Sequence, residues 1–212
     1  MPNQKRRWLE ERKRDYYHKK ALEMGYRSRA IFKLAQIDQK FAILRIGDYV
    51  LDLGCSPGGW SQYAIEKVGA SGVVFGVDIE PIMPLRSKNF RFVRLDLMEE
   101  GSVQKLKQEI GTRVDLVISD LAPDMSGTYG VDSSRQSALA QRALDVGIGM
   151  LRSGGNLVVK VFEGSESGSI ERKAKELFNK VTRMRPLASR KHSSEFYLIC
   201  LDFRPRRALA CR

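Results

Sequence analysis

This sequence has little cysteine or histidine and lacks any long apolar run. Its three cysteines, Cys55, Cys200 and Cys211, are odd in number and far apart, so they indicate neither a disulfide scaffold nor a metal-ligand pattern. The two histidines, His18 and His192, have no clustered partner, and we expect no metal site. No apolar run approaches the roughly 18 residues of a membrane span. These absences favour a cytoplasmic protein in a reducing compartment, with no membrane association.

The N-terminal residues are rich in charge and contain no apolar h-region, so we expect no secretory signal. At 212 residues the chain suits one domain with a substantial core. It contains no internal repeat and no linker that would divide it. We therefore predict a basic arm over residues 1–27, a single domain over 28–205 and a basic tail over 206–212, and we expect a monomer.

Positive charge is concentrated at both ends of the chain. Residues 1–33 carry 11 Lys and Arg against 4 Asp and Glu, and residues 171–212 carry 12 against 4. Aromatic side chains alternate with cations in "KRRWLEERKRDYYHKK", a combination suited to phosphates and unstacked bases. An anionic membrane is disfavoured because no clean amphipathic helix accompanies the charge. We therefore predict a nucleic-acid partner, with a merely solvated charged surface as the alternative.

Hydrophobic periodicity predicts strands and helices in alternation. The predicted helices are 28–40 with Ser28 as its cap, 58–68, 102–110, 133–151 and 168–179. The predicted strands are 49–53, three strands that end at Asp78, Asp96 and Asp120, and the segments 156–162, 180–186 and 195–203. The residues "SGG" are predicted to turn the chain before the fifth strand. Such alternation indicates an α/β fold with a seven-stranded, mostly parallel sheet covered by helices on both faces. The last two strands should pair antiparallel, because the segment between them is too short for a helical crossover.

The stretch "LDLGCSPGGW" joins the first predicted strand to a helix. Gly54, Gly58 and Gly59 leave room for backbone N–H groups to approach a ligand at the helix N-terminus, as in nucleotide-type cofactor sites. Pro57 and the adjacent late glycines do not fit the G-x-G-x-x-G turn of nicotinamide enzymes, and no Gly-Lys-Ser/Thr follows as in a P-loop. A nicotinamide oxidoreductase is therefore a disfavoured rival.

Three aspartates, Asp78, Asp96 and Asp120, end the next three predicted strands. Ligands of open α/β sheets bind at the carboxyl ends of strands. A carboxylate can accept hydrogen bonds from a diol or an exocyclic amine, and its charge suits a sulfonium cation but not pyrophosphate. The acidic rim therefore indicates S-adenosylmethionine. A helix cap or turn role would explain any one aspartate alone, but three in succession favour the cofactor.

Five motifs carry a resemblance to a known family: "GYRSRAIFKLAQID", "LDLGCSPGGWSQYA", "ISDLAPDMSGTYGVD", "NLVVKVFEG" and "SRKHSSEFYLI". In this order, from about Tyr16 to Phe203, the chain resembles the FtsJ-like ribosomal RNA 2′-O-methyltransferases. The resemblance implies a Rossmann-like S-adenosylmethionine-dependent methyltransferase fold. It also implies methyl transfer to a ribose 2′-hydroxyl, with a uridine of large-subunit ribosomal RNA, in the subunit or its precursor, as the expected target. Transfer RNA, an mRNA cap, and a non-catalytic RNA-binding assembly factor are the alternatives.

Site residues of three kinds are predicted: catalytic and cofactor-binding residues from the resemblance, and RNA contacts from the positive charge. The catalytic set falls on Lys33, Asp120, Lys160 and Glu195. The predicted cofactor-binding residues, which include those of the glycine turn, are Gly54, Ser56, Pro57, Gly58, Gly59, Trp60, Asp78, Ile79, Asp96, Leu97 and Asp120. The predicted RNA contacts are Lys5, Arg6, Arg7, Arg12, Lys13, Arg14, Arg27, Arg29 and Arg190. For Trp60, a position in the core is the alternative.

A ribose hydroxyl is a poor nucleophile, so a group must take its proton or stabilise its developing charge. Lys160 lies in an apolar run, where burial favours the neutral amine. The positive charge of Lys33 would also favour the neutral amine, whereas the negative charges of Asp120 and Glu195 would favour the ammonium form. A lysine can serve as neutral base or as a cation that holds an alkoxide. We predict the base role for Lys160 and an orienting, charge-stabilising role for Lys33. Asp120 would lie near both the donor methyl and the lysine, and Glu195 would orient the hydroxyl or Lys33.

Overall fold

A computed structural model describes residues 16–123, 129–191 and 193–205, and the side chains of 129–133 lie outside this description. The helices are α1 (residues 16–23), α2 (Ile31–Phe41), α3 (Gly59–Val68), α4 (Ser102–Ile110), α5 (Tyr129–Met150) and α6 (Ser167–Leu177). The strands are β1 (Tyr49–Leu53), β2 (Val73–Asp78), β3 (Phe90–Arg94), β4 (Val114–Ser119), β5 (Leu151–Phe162), β6 (Phe178–Met184) and β7 (Glu195–Phe203). None of the helices in these ranges is both long and apolar enough to cross a membrane.

The seven strands form one sheet in the order β3-β2-β1-β4-β5-β7-β6. The first five strands of the chain pair in parallel, and β7 pairs antiparallel with both β5 and β6. The predicted α/β fold, with a mostly parallel sheet and antiparallel closing strands, is therefore confirmed. This topology brings the carboxyl ends of β1, β2, β4 and β5 to one edge of the sheet. The first residue of β7 reaches the same edge, because Glu195 pairs with Phe162 at the end of β5.

Buried apolar side chains cover both faces of the sheet. One face packs against α4, α5 and α6, with Leu106, Leu144 and Ile170 in its core. The other face packs against α2 and α3, with Leu34 and Trp60 in its core. The apolar residues of each helix recur on one side, which is why the helices cover the strands instead of extending into solvent.

The N-terminal helix α1 packs on the domain through a smaller cluster. Ala21 and Tyr26 are buried against Ile31, Phe32 and Ala188. The helix ends where Gly25 adopts a positive φ of 76°, a conformation that favours glycine after a helix. The chain from residue 16 onward thus packs against the rest through this cluster, and the predicted division between residues 27 and 28 stays a prediction. The arm over residues 1–15 and the tail from 206 lie outside the described residues.

Three local predictions were wrong. The third strand does not end at Asp96, because β3 ends two residues earlier at Arg94. The segment Ser153–Gly155 does not turn the chain between α5 and β5, because β5 already begins at Leu151 and runs through it. Gly154 has a φ of 76°, and the register with β4 shifts at this point, so the glycines form an irregular strand segment. Ser28 does not cap α2, whose preceding residue Ala30 makes no side-chain cap bond. Ser28 instead packs against Gly59, where an added Cβ would lie 2.4 Å from its hydroxyl.

Asp52 of β1 is buried under the glycine turn, and Ser61 donates a 2.6 Å hydrogen bond to its carboxylate. Burial is the main reason why the pKa of Asp52 is raised from 3.8 to about 7. The negative charges of Asp120 and Asp78 also act to raise this pKa, whereas the hydrogen bond from Ser61 acts to lower it. The folded state therefore binds a proton that the unfolded chain releases at lower pH. The stabilisation of the folded state by this proton is complete below the pKa of Asp52 in the unfolded chain and is lost as pH rises through about 7.

We predict that Asp52→Asn becomes increasingly stabilising relative to the original chain as pH rises from 5 to 8. The amide keeps an acceptor for Ser61 but carries no charge, and each pKa unit corresponds to about 1.4 kcal/mol. Thermal unfolding at several pH values measures the difference. Glu99→Gln, at an exposed carboxylate, is the matched control and should show no such trend. A difference for Asp52→Asn that does not change with pH would contradict the assignment.

Candidate active site

The four predicted catalytic residues meet at the carboxyl edge of the sheet. Lys33 lies in the first turn of α2, Asp120 directly follows β4, Lys160 lies in β5 and Glu195 begins β7. Lys160 Nζ is 2.9 Å from Asp120 Oδ1 and donates a 2.5 Å hydrogen bond to the Asp120 carbonyl. Lys33 Nζ is 2.7 Å from Glu195 Oε1 and 3.8 Å from Asp120 Oδ1. The two lysines therefore share one carboxylate.

This arrangement follows from strand register. In the antiparallel pair of β5 and β7, Lys160 lies opposite Tyr197 and Phe162 lies opposite Glu195. Side chains alternate along a strand, so Lys160, Glu195 and Tyr197 extend from the same face, which is the face that α2 covers. Lys33 of α2 then reaches Glu195 from above. A shift of one residue in this register would place Lys160 on the opposite face.

Both carboxyl groups of the set are held in the ionised form. Burial alone would raise the pKa of Asp120, but the charges of Lys160 and Lys33, with a hydrogen bond from Tyr197, hold it below its usual value. Burial likewise opposes ionisation of Glu195, but the nearby ammonium group of Lys33 lowers its pKa. The site thus contains one buried and one half-buried anion, whose charge is balanced by one buried and one half-buried cation.

Tyr197 is a site residue that sequence reasoning missed. Its hydroxyl donates a 2.6 Å hydrogen bond to Asp120 Oδ1, and its ring centroid is 5.7 Å from Lys33 Nζ. Burial and the neighbouring charge of Asp120 raise its pKa well above 10, so the hydroxyl keeps its proton and remains a donor. The signal in the sequence was its position two residues after Glu195, which places both side chains on one face of a strand.

The glycine turn after β1 is bound tightly to its neighbours. Gly54 and Cys55 both donate backbone hydrogen bonds to the Val77 carbonyl of β2, at 2.9 and 3.2 Å. Gly54 has a φ of 75°, and an added Cβ would lie 2.6 Å from the side chain of Leu121. Gly58 has a φ of 113° and directly precedes α3. Only glycine fits these positions without strain, and the turn leaves the N-terminus of α3 facing the carboxyl edge.

Asp78 and Asp96 lie at the same edge, beside this turn. The two oxygens of Asp78 accept hydrogen bonds from the backbone N–H groups of Ser56, at 2.8 Å, and Glu80, at 3.0 Å. Asp96 is exposed, and one of its oxygens accepts a 2.8 Å bond from the Met98 N–H. Backbone bonds hold both carboxylates in place while leaving acceptor capacity for a ligand.

Three other predicted cofactor residues differ in their environments. Trp60 is buried, donates its indole N–H to the Ala30 carbonyl at 2.8 Å and packs on Tyr197 with a centroid separation of 5.8 Å. Its side chain therefore lies in the core, and a contact of Trp60 with the cofactor stays a prediction. Leu97 is also buried in the core, so only its backbone is available, whereas Ile79 is 53% exposed at the end of β2.

The predicted RNA contacts fall into three groups. Lys5, Arg6, Arg7, Arg12, Lys13 and Arg14 lie outside the described residues. Arg27 donates hydrogen bonds to the carbonyl groups of Pro57, Met83 and Pro84, so it links the glycine turn to the following loop. Arg29 donates a 2.8 Å bond to the Ala188 carbonyl, and Arg190 is exposed. The guanidinium groups of Arg27 and Arg29 thus hold loops in place, and of these three arginines only Arg190 remains a well-exposed candidate for phosphate contact.

An open, mostly parallel sheet with a glycine turn after β1 and carboxylates after β2 and β3 defines the chain as a Rossmann-like methyltransferase. The model of the FtsJ-like methyltransferase family matches residues 26–203. The chain therefore belongs to the FtsJ-like methyltransferase family and is an enzyme, and this family implies S-adenosylmethionine as the methyl donor.

Similar proteins support the same assignment. The "Ribosomal RNA large subunit methyltransferase E" of Methanothermobacter thermautotrophicus is 41% identical over 199 residues, covering 94% of each chain. A protein of the same name from Legionella pneumophila is 44% identical over 199 residues, covering 93% of this chain and 96% of the other. A crystal structure from Plasmodium falciparum, assigned as a ribosomal RNA methyltransferase, superposes with a TM-score of 0.72 at 27% identity, covering 84% of this chain and 98% of that one.

We predict that Asp78→Ala and Asp96→Ala each weaken S-adenosylmethionine binding. Loss of a hydrogen-bond acceptor for a ligand costs on the order of 1–3 kcal/mol, or roughly 5- to 150-fold in affinity. Isothermal calorimetry with S-adenosylmethionine measures the change. Glu109→Ala, an exposed carboxylate of α4, is the control and should bind normally. Unchanged affinity in both aspartate variants would remove these residues from the cofactor site.

Proposed function

We propose that this chain transfers the methyl group of S-adenosylmethionine to a ribose 2′-hydroxyl of large-subunit ribosomal RNA, with a uridine as the target. The observation that carries the proposal is the pair of lysines on the Asp120 carboxylate at the edge where the glycine turn ends. Such a set can deprotonate and orient a hydroxyl, whereas the cysteine nucleophile needed for methylation at C5 of a base is missing from "DLAPD". The names of the archaeal and bacterial relatives support ribosomal RNA as the substrate class.

The residues at the carboxyl edge fit S-adenosylmethionine. The backbone of Gly54, Ser56, Pro57, Gly58 and Gly59 would surround its methionine part, Asp78 would accept from the ribose hydroxyls and Asp96 from the adenine amine. The bound cofactor supplies an electrophilic methyl group on a positively charged sulfur. Asp120 would present its negative charge toward this sulfur and toward Lys160. The same carboxylate would thus stabilise a group of the cofactor and a group that acts on the ribose hydroxyl.

In the proposed mechanism, the Lys160 ammonium group first releases a proton to solvent. Its neutral Nζ then takes the proton of the 2′-hydroxyl as the ribose oxygen bonds to the methyl carbon and the bond from that carbon to sulfur breaks. Lys33, held 2.7 Å from Glu195, stabilises the charge that develops on that oxygen. Glu195 orients Lys33, and Tyr197 holds the Asp120 carboxylate so that it faces Lys160. The base role for Lys160 is the part of the proposal that substitution tests most directly.

We predict that Lys160→Ala keeps cofactor affinity but loses methyl transfer by about 10²- to 10⁴-fold, the usual contribution of a general base. Single-turnover transfer of labelled methyl groups to RNA at saturating concentration measures the loss. Lys160→Arg separates the two possible roles, because arginine remains a cation and cannot act as base near neutral pH. An arginine variant with near-normal transfer would overturn the base role.

The control for this experiment is Lys173→Ala, which removes a surface lysine that pairs with Asp145 at 2.5 Å, away from the set. It should transfer methyl groups at the normal rate. Two alternatives remain for comparison: a transfer RNA substrate, and a non-catalytic role in ribosome assembly. Parallel assays with transfer RNA, protein-free large-subunit RNA and intact large subunits distinguish the substrates, and absence of transfer to all three would favour the assembly factor.

The basic arm would contribute to RNA capture, and an RNA target in the ribosome accords with the cytoplasmic location expected from the sequence. Location, a monomeric state and independence of metal ions stay predictions. The contacts among Lys33, Asp120, Lys160 and Glu195 are made without residues 1–14. We therefore expect removal of residues 1–14 to leave the catalytic set in place.

We predict that deletion of residues 1–14 leaves folding and S-adenosylmethionine binding intact but raises the KM for RNA. Each lost phosphate contact should flatten the slope of log affinity against log salt by roughly 0.7 on single-stranded and 0.9 on duplex RNA. Binding measured over a salt series checks this. Lys105→Gln with Lys107→Gln, on exposed positions of α4, is the control for net charge. A truncated protein with an unchanged salt slope would show that the arm does not contact phosphates.

A further inference from the structure

Three aromatic rings form a continuous row from the surface of α1 to the helix that carries Lys33. Tyr16 contacts Tyr17 edge-to-face with ring centroids 5.4 Å apart, and Tyr17 contacts Phe32 at 5.2 Å. Phe32 is buried and directly precedes Lys33 in α2. Tyr16, at the outer end of the row, is 57% exposed. An exposed tyrosine whose ring is supported from behind by a second ring presents a rigid aromatic surface to solvent.

A lysine lies within this row. Lys20 Nζ is 5.8 Å from the centroid of Tyr16 and 5.4 Å from that of Phe32. Among the residues that the structure describes, no carboxylate lies within ion-pair distance of Lys20, and its ammonium group lies near the two ring faces instead. By comparison, Lys33 and Lys160 both pair with carboxylates. Lys20 therefore keeps its capacity to bind an additional anion.

The row lies beside the catalytic set and not on a remote surface. Tyr17 and Phe32 belong to the cluster that includes Ala188, in the loop before Glu195. Arg29 connects the same parts, since its guanidinium lies 5.8 Å from the ring of Tyr17 and donates to the Ala188 carbonyl. A polymer bound with one residue at Lys33 and Glu195 would thus have its neighbouring residues within reach of α1.

We propose that Tyr16 is a stacking platform for an unpaired RNA base close to the methylated nucleotide, and that Lys20 binds the phosphate beside that base. The proposal rests on the proposed function, because it takes the ribose at the catalytic set as the point from which the strand extends. Exposed aromatic rings with interspersed cations are how proteins hold single-stranded nucleic acid, since every base has a face that stacks.

RNA is favoured over a protein or lipid partner by the charge around the platform. The chain carries a formal net charge of +12, and its first 33 residues hold 11 of its Lys and Arg.

The exposed Leu22, on the same helix as Tyr16, has none of these ring or cation contacts, although it is 60% exposed. It therefore offers a matched control with equal exposure and no stacking geometry.

The test compares Tyr16→Ala, Tyr16→Phe and Leu22→Ala. The probe is a short single-stranded oligouridine containing one 2-aminopurine, whose fluorescence falls when the base stacks. Tyr16→Ala should weaken oligouridine binding by roughly 5- to 150-fold and reduce the quenching, because base–aromatic stacking is lost. Tyr16→Phe, which keeps the ring, and Leu22→Ala should behave as the original chain. Unchanged binding by Tyr16→Ala, or equal loss in Tyr16→Phe, would overturn the stacking role.

Methyl transfer to large ribosomal subunits provides the second measurement. Tyr16→Ala should raise the KM for subunits with little change in kcat, and its melting temperature should remain that of the original chain because the ring is exposed. If the original chain is active but Tyr16→Ala and Leu22→Ala have identical KM values, the stacking platform is contradicted and the proposed function is not. Failure of the original chain to methylate ribose would contradict the proposed function, and the oligouridine result would still decide whether Tyr16 stacks on a base.

Discussion

One carboxylate, that of Asp120, is contacted by side chains from three separate elements. Lys160 of β5, Lys33 of α2 and Tyr197 of β7 all reach the same oxygen, Oδ1. A buried charge is costly unless it is paired and hydrogen-bonded, so the positions of these elements depend on one another. The loss of any one partner would leave another charge or donor unsatisfied. This constraint links the fold to the proposed chemistry, because the two lysines that pair with Asp120 are the groups proposed to act on the substrate.

The antiparallel last strand makes this cluster possible. In a wholly parallel sheet, the first residue of a strand lies at the edge opposite the ligand site. Because β7 runs the other way, its first residue, Glu195, lies beside the end of β5, at the edge where the glycine turn and Asp78 also lie. In the proposed function, donor and acceptor sites therefore share one edge of the sheet. The aromatic row from Phe32 to Tyr16 leads outward from α2, the helix that carries Lys33.

The order of strands and helices could be predicted because apolar periodicity records which side of each element is buried. The catalytic set came from a resemblance, and the structure brings those four residues together. Sequence reasoning could not separate an aromatic core residue from an aromatic ligand contact, so both positions were open for Trp60, and Tyr197 was missed. The contacts of Arg27 could not be predicted for a similar reason. Its partners are backbone carbonyls of a distant loop, which no side-chain pattern reveals.

The central claim is that the lysine pair on Asp120 directs a methyl group to a ribose oxygen. The most direct measurement is to incubate the protein with labelled S-adenosylmethionine and unmodified large ribosomal subunits, digest the RNA with alkali, and separate the products. A 2′-O-methyl group blocks alkaline cleavage at its own nucleotide, so the account predicts that the label appears in an alkali-resistant dinucleotide. Label recovered in a mononucleotide would place the methyl group on a base and would contradict the account.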